Sequence, residues 1–249
     1  MHNLFRSVWY LPPVSMRTLK SAFSNVIRNK SYSQCLQDLF VLYATSYRLA
    51  GSYLEVGAAH PHGNSNSFKL DTEFQYEGIS IEYDPNLVSQ WRSKRRRNRC
   101  ICADATSLDY SLILSNLPPL IDYLSLDINP SIQTLNVLKV LPLDKVRFSV
   151  ITFEHDAYSD ADGEAVRNES REILNAFGYT RVISDVELIE WGPFEDWYVD
   201  PLSVGYDIIS TLQQYDNPKI KQSAPFESTL GKFLLQSYIQ RKSLSNKLS

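Results

Sequence analysis

From Leu36 onward, apolar residues recur at helical spacing through Leu39, Phe40, Tyr43 and Tyr47, which predicts a helix near residues 34–48. Ser31 followed by Gln34 resembles a capping box at its start. A regular alternation then begins. Short apolar runs at Tyr53–Val56, Gly78–Glu82, Cys100–Ala103, Ile121–Leu126, Val146–Phe153 and Tyr179–Ser184 read as strands, with a short seventh at Trp197–Val199. Between them, Asn64–Glu73, Asn86–Arg97, Ser107–Asn116, Ser131–Leu141 and Glu164–Phe177 carry helical patterns, with Pro85 suited to a first turn and Gly178 to a stop. Strands separated by helices of this length imply an α/β fold, a mostly parallel seven-stranded sheet with helices on both faces. Beyond Pro201 the alternation stops, and Val204–Tyr215 and Phe226–Gln240 read as amphipathic helices with a frayed polar end from Arg241. Residues 1–30 carry no clear periodicity and read as an arm or an accessory helix.

Composition changes this picture little. The 249 residues are 43% hydrophobic and 21% charged, an ordinary globular balance. Lys and Arg number 25 against 28 Asp and Glu, a net charge of −3, which argues against nucleic acid as the main partner. The run Arg92, Lys94, Arg95, Arg96, Arg97 and Arg99 has two readings: the solvated face of a helix, or attraction to an anionic partner such as phospholipid, which would allow peripheral membrane contact. Cys35, Cys100 and Cys102 form no pairing pattern and suit a reducing cytoplasm. No apolar run is long enough to span a bilayer, and the first residues lack the pattern of a signal peptide. The aromatic share, 12% with 15 Tyr, reads as packing or as stacking on an acceptor by Trp191, Trp197, Tyr198 and the late tyrosines.

The chemistry lies in where the acids fall. Glu55, Glu82, Asp104, Asp127 and Glu154 sit in or just after consecutive strands, and in an open α/β sheet ligands bind outside the carboxyl ends of the strands. The first loop, Gly57-Ala58-Ala59-His60-Pro61-His62-Gly63, follows a strand and precedes a helix, and Glu82 stands about 20 residues on, where a ribose-hydroxyl acceptor is expected. Yet Ala59 takes the second glycine position of a dinucleotide loop and Pro61 removes an N–H, so a pyrophosphate is poorly served. A nucleoside without phosphate is less demanding. S-adenosyl-L-methionine is such a ligand, and its ribose diol and ammonium both donate to acids.

These residues also carry a family resemblance. Tyr53-Leu54-Glu55-Val56-Gly57-Ala58-Ala59, then Ser65-Asn66-Ser67, then Gly78-Ile79-Ser80-Ile81-Glu82-Tyr83-Asp84-Pro85 resemble the core of the FkbM-type S-adenosylmethionine-dependent methyltransferases. Ser33-Gln34 and Gln37-Asp38-Leu39-Phe40 resemble that family's lead-in helix, and Asp122–Asp127 its fourth strand. Phe153-Glu154-His155-Asp156, Arg171-Glu172, Gly178-Tyr179 and Phe194-Glu195-Asp196-Trp197-Tyr198 fit its second half. Asn129-Pro130 and Asp156 depart from the pattern in the acceptor half. The resemblance implies a Rossmann-like class I methyltransferase domain over 33–201, an N-terminal arm over 1–32 and a helical C-terminal extension over 202–249. It implies O-methylation of a hydroxyl, on a small-molecule or glycan acceptor. A nucleic-acid methyltransferase and a non-catalytic cofactor-binding scaffold are the alternatives.

By that resemblance Glu55 helps hold the methionine ammonium and Gly57 and Ala58 form the cofactor loop. Ser65 and Asn66 cap the next helix and touch the cofactor. Glu82 with Tyr83 meets the ribose, Asp104 with Ala105 meets the adenine, and Asp127 lies by the transferred methyl. An alcohol is a poor nucleophile at neutral pH, so its proton must be removed. His155 with Asp127 is the candidate catalytic pair, His155 as general base. Alternatively Asp127, Glu154 and Asp156 hold Mg2+ or Mn2+, which prefer oxygen ligands and lower a hydroxyl pKa.

Overall fold

The computed structural model describes residues 31–93, 98–159 and 161–248. The N-terminal arm to residue 30 and the core of the basic run, 94–97, lie outside the described residues. Five strands, β1 (Ser52–Val56), β2 (Glu77–Glu82), β3 (Arg99–Cys102), β4 (Leu120–Leu126) and β5 (Arg147–Glu154), run parallel. Then β6 (Thr180–Leu188) and β7 (Gly192–Val199) form an antiparallel hairpin, and β8 (Lys219–Ile220) pairs with β6. The sheet order is β3-β2-β1-β4-β5-β7-β6-β8, with β7 antiparallel to β5. This is a Rossmann-like α/β sheet, with one strand reversed and one strand more than the pattern suggests.

The helices are α1 (Gln37–Ala44), α2 (Phe68–Phe74), α3 (Pro85–Ser93), α4 (Tyr110–Ile113), α5 (Ser131–Val140), α6 (Gly163–Ala176), α7 (Tyr206–Leu212) and α8 (Thr229–Leu248). Two cores result. On one face Tyr53 and Tyr123 pack with α1, α2, α7 and α8; on the other Leu54, Val56, Leu124 and Leu126 pack with α4, α5 and α6. Burial on both faces explains why β1 is buried throughout and reads as an unbroken apolar run. The aromatic surplus goes largely into the first core. Trp197 stacks on Phe40 with centroids 4.4 Å apart, and Phe233 packs against both Tyr43 and Tyr215. Among the described residues no helix is long and apolar enough to cross a membrane.

Four local expectations are corrected. The capping box at Ser31 and Gln34 is absent: the buried Asp38 instead accepts from Ser31 Oγ (2.6 Å), Ser33 Oγ (2.9 Å) and the Tyr32 amide (2.8 Å), while its own N–H donates to Ser33 Oγ. The 107–116 helix is broken, because Asp104 caps one short turn through the Thr106 amide and Asp109 restarts another through Leu112. The seventh strand spans Gly192–Val199, since Glu195 and Asp196 are buried with partners and do not mark a loop. The last helix continues past Arg241 to Leu248.

Candidate functional site

A cavity of about 570 Å³ opens where the strand order reverses between β1 and β4. In doubly wound sheets this switch point, at the carboxyl ends of the strands, is where ligands bind. Its walls come from the loops after β1, β2, β3 and β4. Gly57, Glu82, Tyr83, Asp104, Ala105 and Asp127 all line it.

Gly57 sets the shape. Its φ is +81°, and a Cβ there would lie 1.6 Å from the Asp127 carbonyl oxygen. Only glycine lets the β1 loop press this closely on the end of β4. Main-chain bonds then lock the junction: the Gly57 and Ala58 amides both donate to Ile81 O at 3.0 Å, and the Asp127 amide donates to Val56 O at 3.0 Å.

Glu82 is fixed by two amides. The Ala59 N–H donates to Oε2 at 2.7 Å and the Asp84 N–H to Oε1 at 2.8 Å. A carboxylate oxygen has two acceptor positions, so each keeps one for a ligand. Asp104 Oδ1 accepts from the Thr106 hydroxyl (2.7 Å) and amide (2.9 Å), and these bonds hold its carboxyl below the usual range. Asp127 faces Glu154 of the next strand as a hydrogen-bonding partner. Burial, then the neighbouring acids, pushes Asp127 up to about 6. Glu154 is raised well above the ordinary carboxylate value, first by burial and then by Asp127. One proton shared between two crowded carboxyls accounts for both directions.

Other expected residues lie elsewhere. Glu55 is 2% exposed and outside the cavity lining, its oxygens taken by the Ser67 amide (3.1 Å), Ser67 Oγ (2.6 Å) and Ser80 Oγ (2.8 Å). It is a bracket between β1, β2 and the start of α2, which corrects the expectation that it faces ligand. Ala58, Ser65 and Asn66 are buried beside it and do not line the cavity; Asn66 Nδ2 donates to Ser125 Oγ at 3.0 Å.

His155 is also corrected. It is fully buried, with Nδ1 accepting from the Ala157 amide at 3.2 Å and Nε2 facing Asp185 and Asp196 at 3.8 Å. Arg171 closes that cluster, donating from Nε (2.6 Å) and Nη2 (2.9 Å) to Asp196 and from Nη2 to Asp185 (2.9 Å). Burial would raise Asp196, but the facing imidazole and guanidinium outweigh it and hold its carboxyl well below the usual range. The imidazole turns away from the cavity toward α6, so it has no access to a substrate proton.

The residues expected to hold a metal do not form a compact three-ligand set. Among the described residues the one set of three His, Cys, Asp or Glu ligand atoms within 4.8 Å of each other is His155, Asp185 and Asp196. Asp127, Glu154 and Asp156 do not converge so, and two guanidinium groups already neutralise the set that does.

Sequence reasoning missed the apolar walls, Ile81, Leu87 and Ile128, and the floor at Ala59, Thr106 and Gln133. Ile81 and Ile128 flank Glu82 and Asp127 directly, a signal that was available. It also missed Glu195, fully enclosed on β7, which accepts from Trp197 Nε1 at 2.6 Å and Gln37 Nε2 at 2.9 Å. Burial pushes this carboxyl up to about 8 despite those bonds. A second cleft, of about 420 Å³ between α3 and β3, has no acid in its lining.

No protein-family model matches the chain, and no curated protein matches it. Solved structures do. An amino pentose methyltransferase from Micromonospora echinaspora, bound to S-adenosylmethionine, is 12% identical with a TM-score of 0.45, covering 77% of this chain and 100% of its own. A sugar N-methyltransferase from a Streptoalloteichus species is 13% identical with a TM-score of 0.39, over 80% and 98%. A putative rRNA-methylase from Clostridium thermocellum is 10% identical with a TM-score of 0.46, over 68% and 97%. The fold assignment rests on the strand order of this chain itself.

Proposed function

We propose that this chain is an S-adenosylmethionine-dependent methyltransferase of the FkbM type that methylates a hydroxyl group of a sugar in a glycan or glycolipid. The observation that carries the reading is Glu82, a residue of the cavity lining whose two oxygens are each held by one main-chain amide and each keep acceptor capacity. A vicinal diol is the matching donor. The cavity's charge supports the same ligand: its lining holds Glu82, Asp104 and Asp127 and, among the described residues, no Lys, Arg or His. Phosphates would be repelled there, whereas a phosphate-free nucleoside with an ammonium and a sulfonium is attracted. That charge also disfavours a nucleic-acid acceptor.

In this reading Glu82 holds the ribose hydroxyls and Asp104 Oδ2 accepts from the adenine amine. Ile81, Leu87 and Ile128 cover the base, and the Gly57–Ala59 main chain backs the amino-acid moiety. When bound, the cofactor supplies an electrophilic methyl group on sulfur. Asp127 then has the chemical work. Raised to about 6, it is ionised often enough near neutrality to take a hydroxyl proton, with protonated Glu154 behind it as its hydrogen-bonding partner. The loop Ile128–Pro130 borders this point and positions the acceptor. Transfer that survives EDTA would remove the alternative in which Asp127, Glu154 and Asp156 hold a divalent ion.

Calorimetry with S-adenosylhomocysteine tests the cofactor, and a pure protein that does not bind it ends the reading. A radiolabelled methyl-transfer assay against glycans and glycolipids tests the acceptor. Binding without any transfer would favour the non-catalytic scaffold.

A further inference from the structure

We infer that Tyr158 and Trp191 form a saccharide platform beside the cavity, an inference that rests on the methyltransferase reading for its link to catalysis. Both rings are exposed, Tyr158 at 39% and Trp191 at 47%, and they lie nearly parallel, 15° apart with centroids 6.1 Å from each other. The other aromatics singled out beside Trp191, namely Trp197 and Tyr198, are buried and explained by packing. This pair is not.

The position is functional in character. Tyr158 follows the carboxyl end of β5, and Trp191 sits in the turn between β6 and β7. Because β7 runs antiparallel to β5, that turn overhangs the same sheet edge as the cavity. Glu154 is opposite Glu195 in the β5–β7 register, and Asp127 ends the neighbouring strand, so the rings stand at the same end of the sheet as Asp127, beyond the ends of β5 and β6. An extended acceptor with one hydroxyl at Asp127 would run along this end of the sheet toward the rings.

The base beneath the rings is rigid. The Phe194 carbonyl accepts from both the His155 and Asp156 amides, at 2.7 and 3.1 Å. Gly192 has φ +131°, and a Cβ there would meet Tyr158 Cβ at 2.8 Å, so glycine is what lets the turn close on Tyr158. On the far side the Ile189 amide donates to Ile220 O at 2.9 Å. Ring faces held this way suit the C–H face of a pyranose, which stacks at little entropic cost.

The polar rim of the turn suits a polyol. Glu187 and Glu190 flank the turn: Glu187 pairs with Lys219 at 3.1 Å, and Glu190 accepts from the Gln222 amide at 3.4 Å. A neutral polyol accepts carboxylate neighbours as hydrogen-bond acceptors.

The test uses the full chain saturated with S-adenosylhomocysteine and saturation-transfer NMR. The probes are the methyl pyranosides of mannose, glucose, galactose, rhamnose and fucose. Transfer to the ring protons of at least one is expected, falling about fivefold in Trp191→Ala and in Tyr158→Ala and largely kept in Trp191→Phe. Near-ultraviolet circular dichroism checks that the variants stay folded. No transfer from any probe to the wild type overturns the inference, and so does transfer that survives both alanine variants. Trp191-dependent sedimentation with phosphatidylglycerol vesicles in place of sugar binding would also overturn it. If S-adenosylhomocysteine fails to bind while sugar contact depends on Trp191, the methyltransferase reading falls and the platform stands.

Discussion

At the carboxyl ends of β1–β4 the acids that reach the cavity meet main-chain amides and small hydroxyls; at the ends of β5–β7 they meet guanidinium, indole and amide side chains. Glu82 and Asp104 are held by backbone N–H groups and the Thr106 hydroxyl, and both keep acceptor capacity toward the cavity. Asp196 accepts from Arg171, the Asp185 amide and Tyr198, and Glu195 from Trp197 and Gln37. The same residue type on the same sheet edge therefore does two jobs. An acid pinned by backbone is oriented and still available. An acid saturated by side chains is a structural joint. Asp127 with Glu154 marks the border, since one member faces the cavity and the other leans toward the joint.

The comparison breaks first at Gly57. Gly57→Ala would drive a methyl into the Asp127 carbonyl in a backbone region costly for alanine. A loss of about 4 kcal/mol in urea unfolding is expected, with no binding of S-adenosylhomocysteine by what stays folded. A near-neutral result would mean that the β1 loop can move away from β4, and the cavity would not be the rigid half.

Next comes the joint. Asp196→Ala leaves the Arg171 guanidinium against a buried, emptied site, and breaking such a pair should cost about 3 kcal/mol of stability. At a temperature where the variant is folded, cofactor affinity should be unchanged. Weakened cofactor affinity in the folded variant would show that the two halves are coupled.

Glu82→Gln reverses that pattern. The amide keeps one acceptor oxygen and places an NH2 against a backbone N–H, so about 2 kcal/mol of binding, roughly 30-fold in affinity, should go. Unfolding midpoints should shift far less than for Asp196→Ala. Equal losses in both measurements would put Glu82 with the structural acids.

This division explains what could be read from the chain alone. The strand and helix alternation follows from local period, and the acids at the ends of β1–β4 stand within a residue or two of the strands that carry them. Glu82 and Asp104 make their bonds within their own loops or to the neighbouring one, so their surroundings are encoded nearby. The joint is different. Gln37 reaches Glu195 across 158 positions and Arg171 reaches Asp196 across 25, and no periodicity announces such partners. The first half of β7 is hidden for the same reason, because Glu195 and Asp196 are buried in a strand only through distant partners. His155 is expected as a base from its strand-end position and the near-neutral range of imidazole. Adjacent strand residues point to opposite faces, and the first one past β5 is drawn toward α6 by Asp185, Asp196 and Arg171.

The smallest expected effect tests whether Glu195 is protonated within the joint. Its carboxyl is pushed up to about 8 in the folded protein from an ordinary value of 4.5. Between those values the native state holds a proton that the unfolded chain has released. Stability from this group is therefore complete below the unfolded value and is lost as pH rises through the folded one. From pH 6 to 7 the loss should be about 1 kcal/mol, near the limit of 1.4 kcal/mol per pH unit for one proton. Glu195→Gln keeps an oxygen for Trp197 and Gln37 and puts an NH2 where the acid O–H lies, so it should mimic the protonated state and flatten that slope. Urea melts of both proteins at pH 6, 7 and 8 measure the difference directly, and the slopes from other groups cancel in it. Parallel stability curves would mean that Glu195 is ionised in the fold, held by its two donors much as Asp196 is held by arginine.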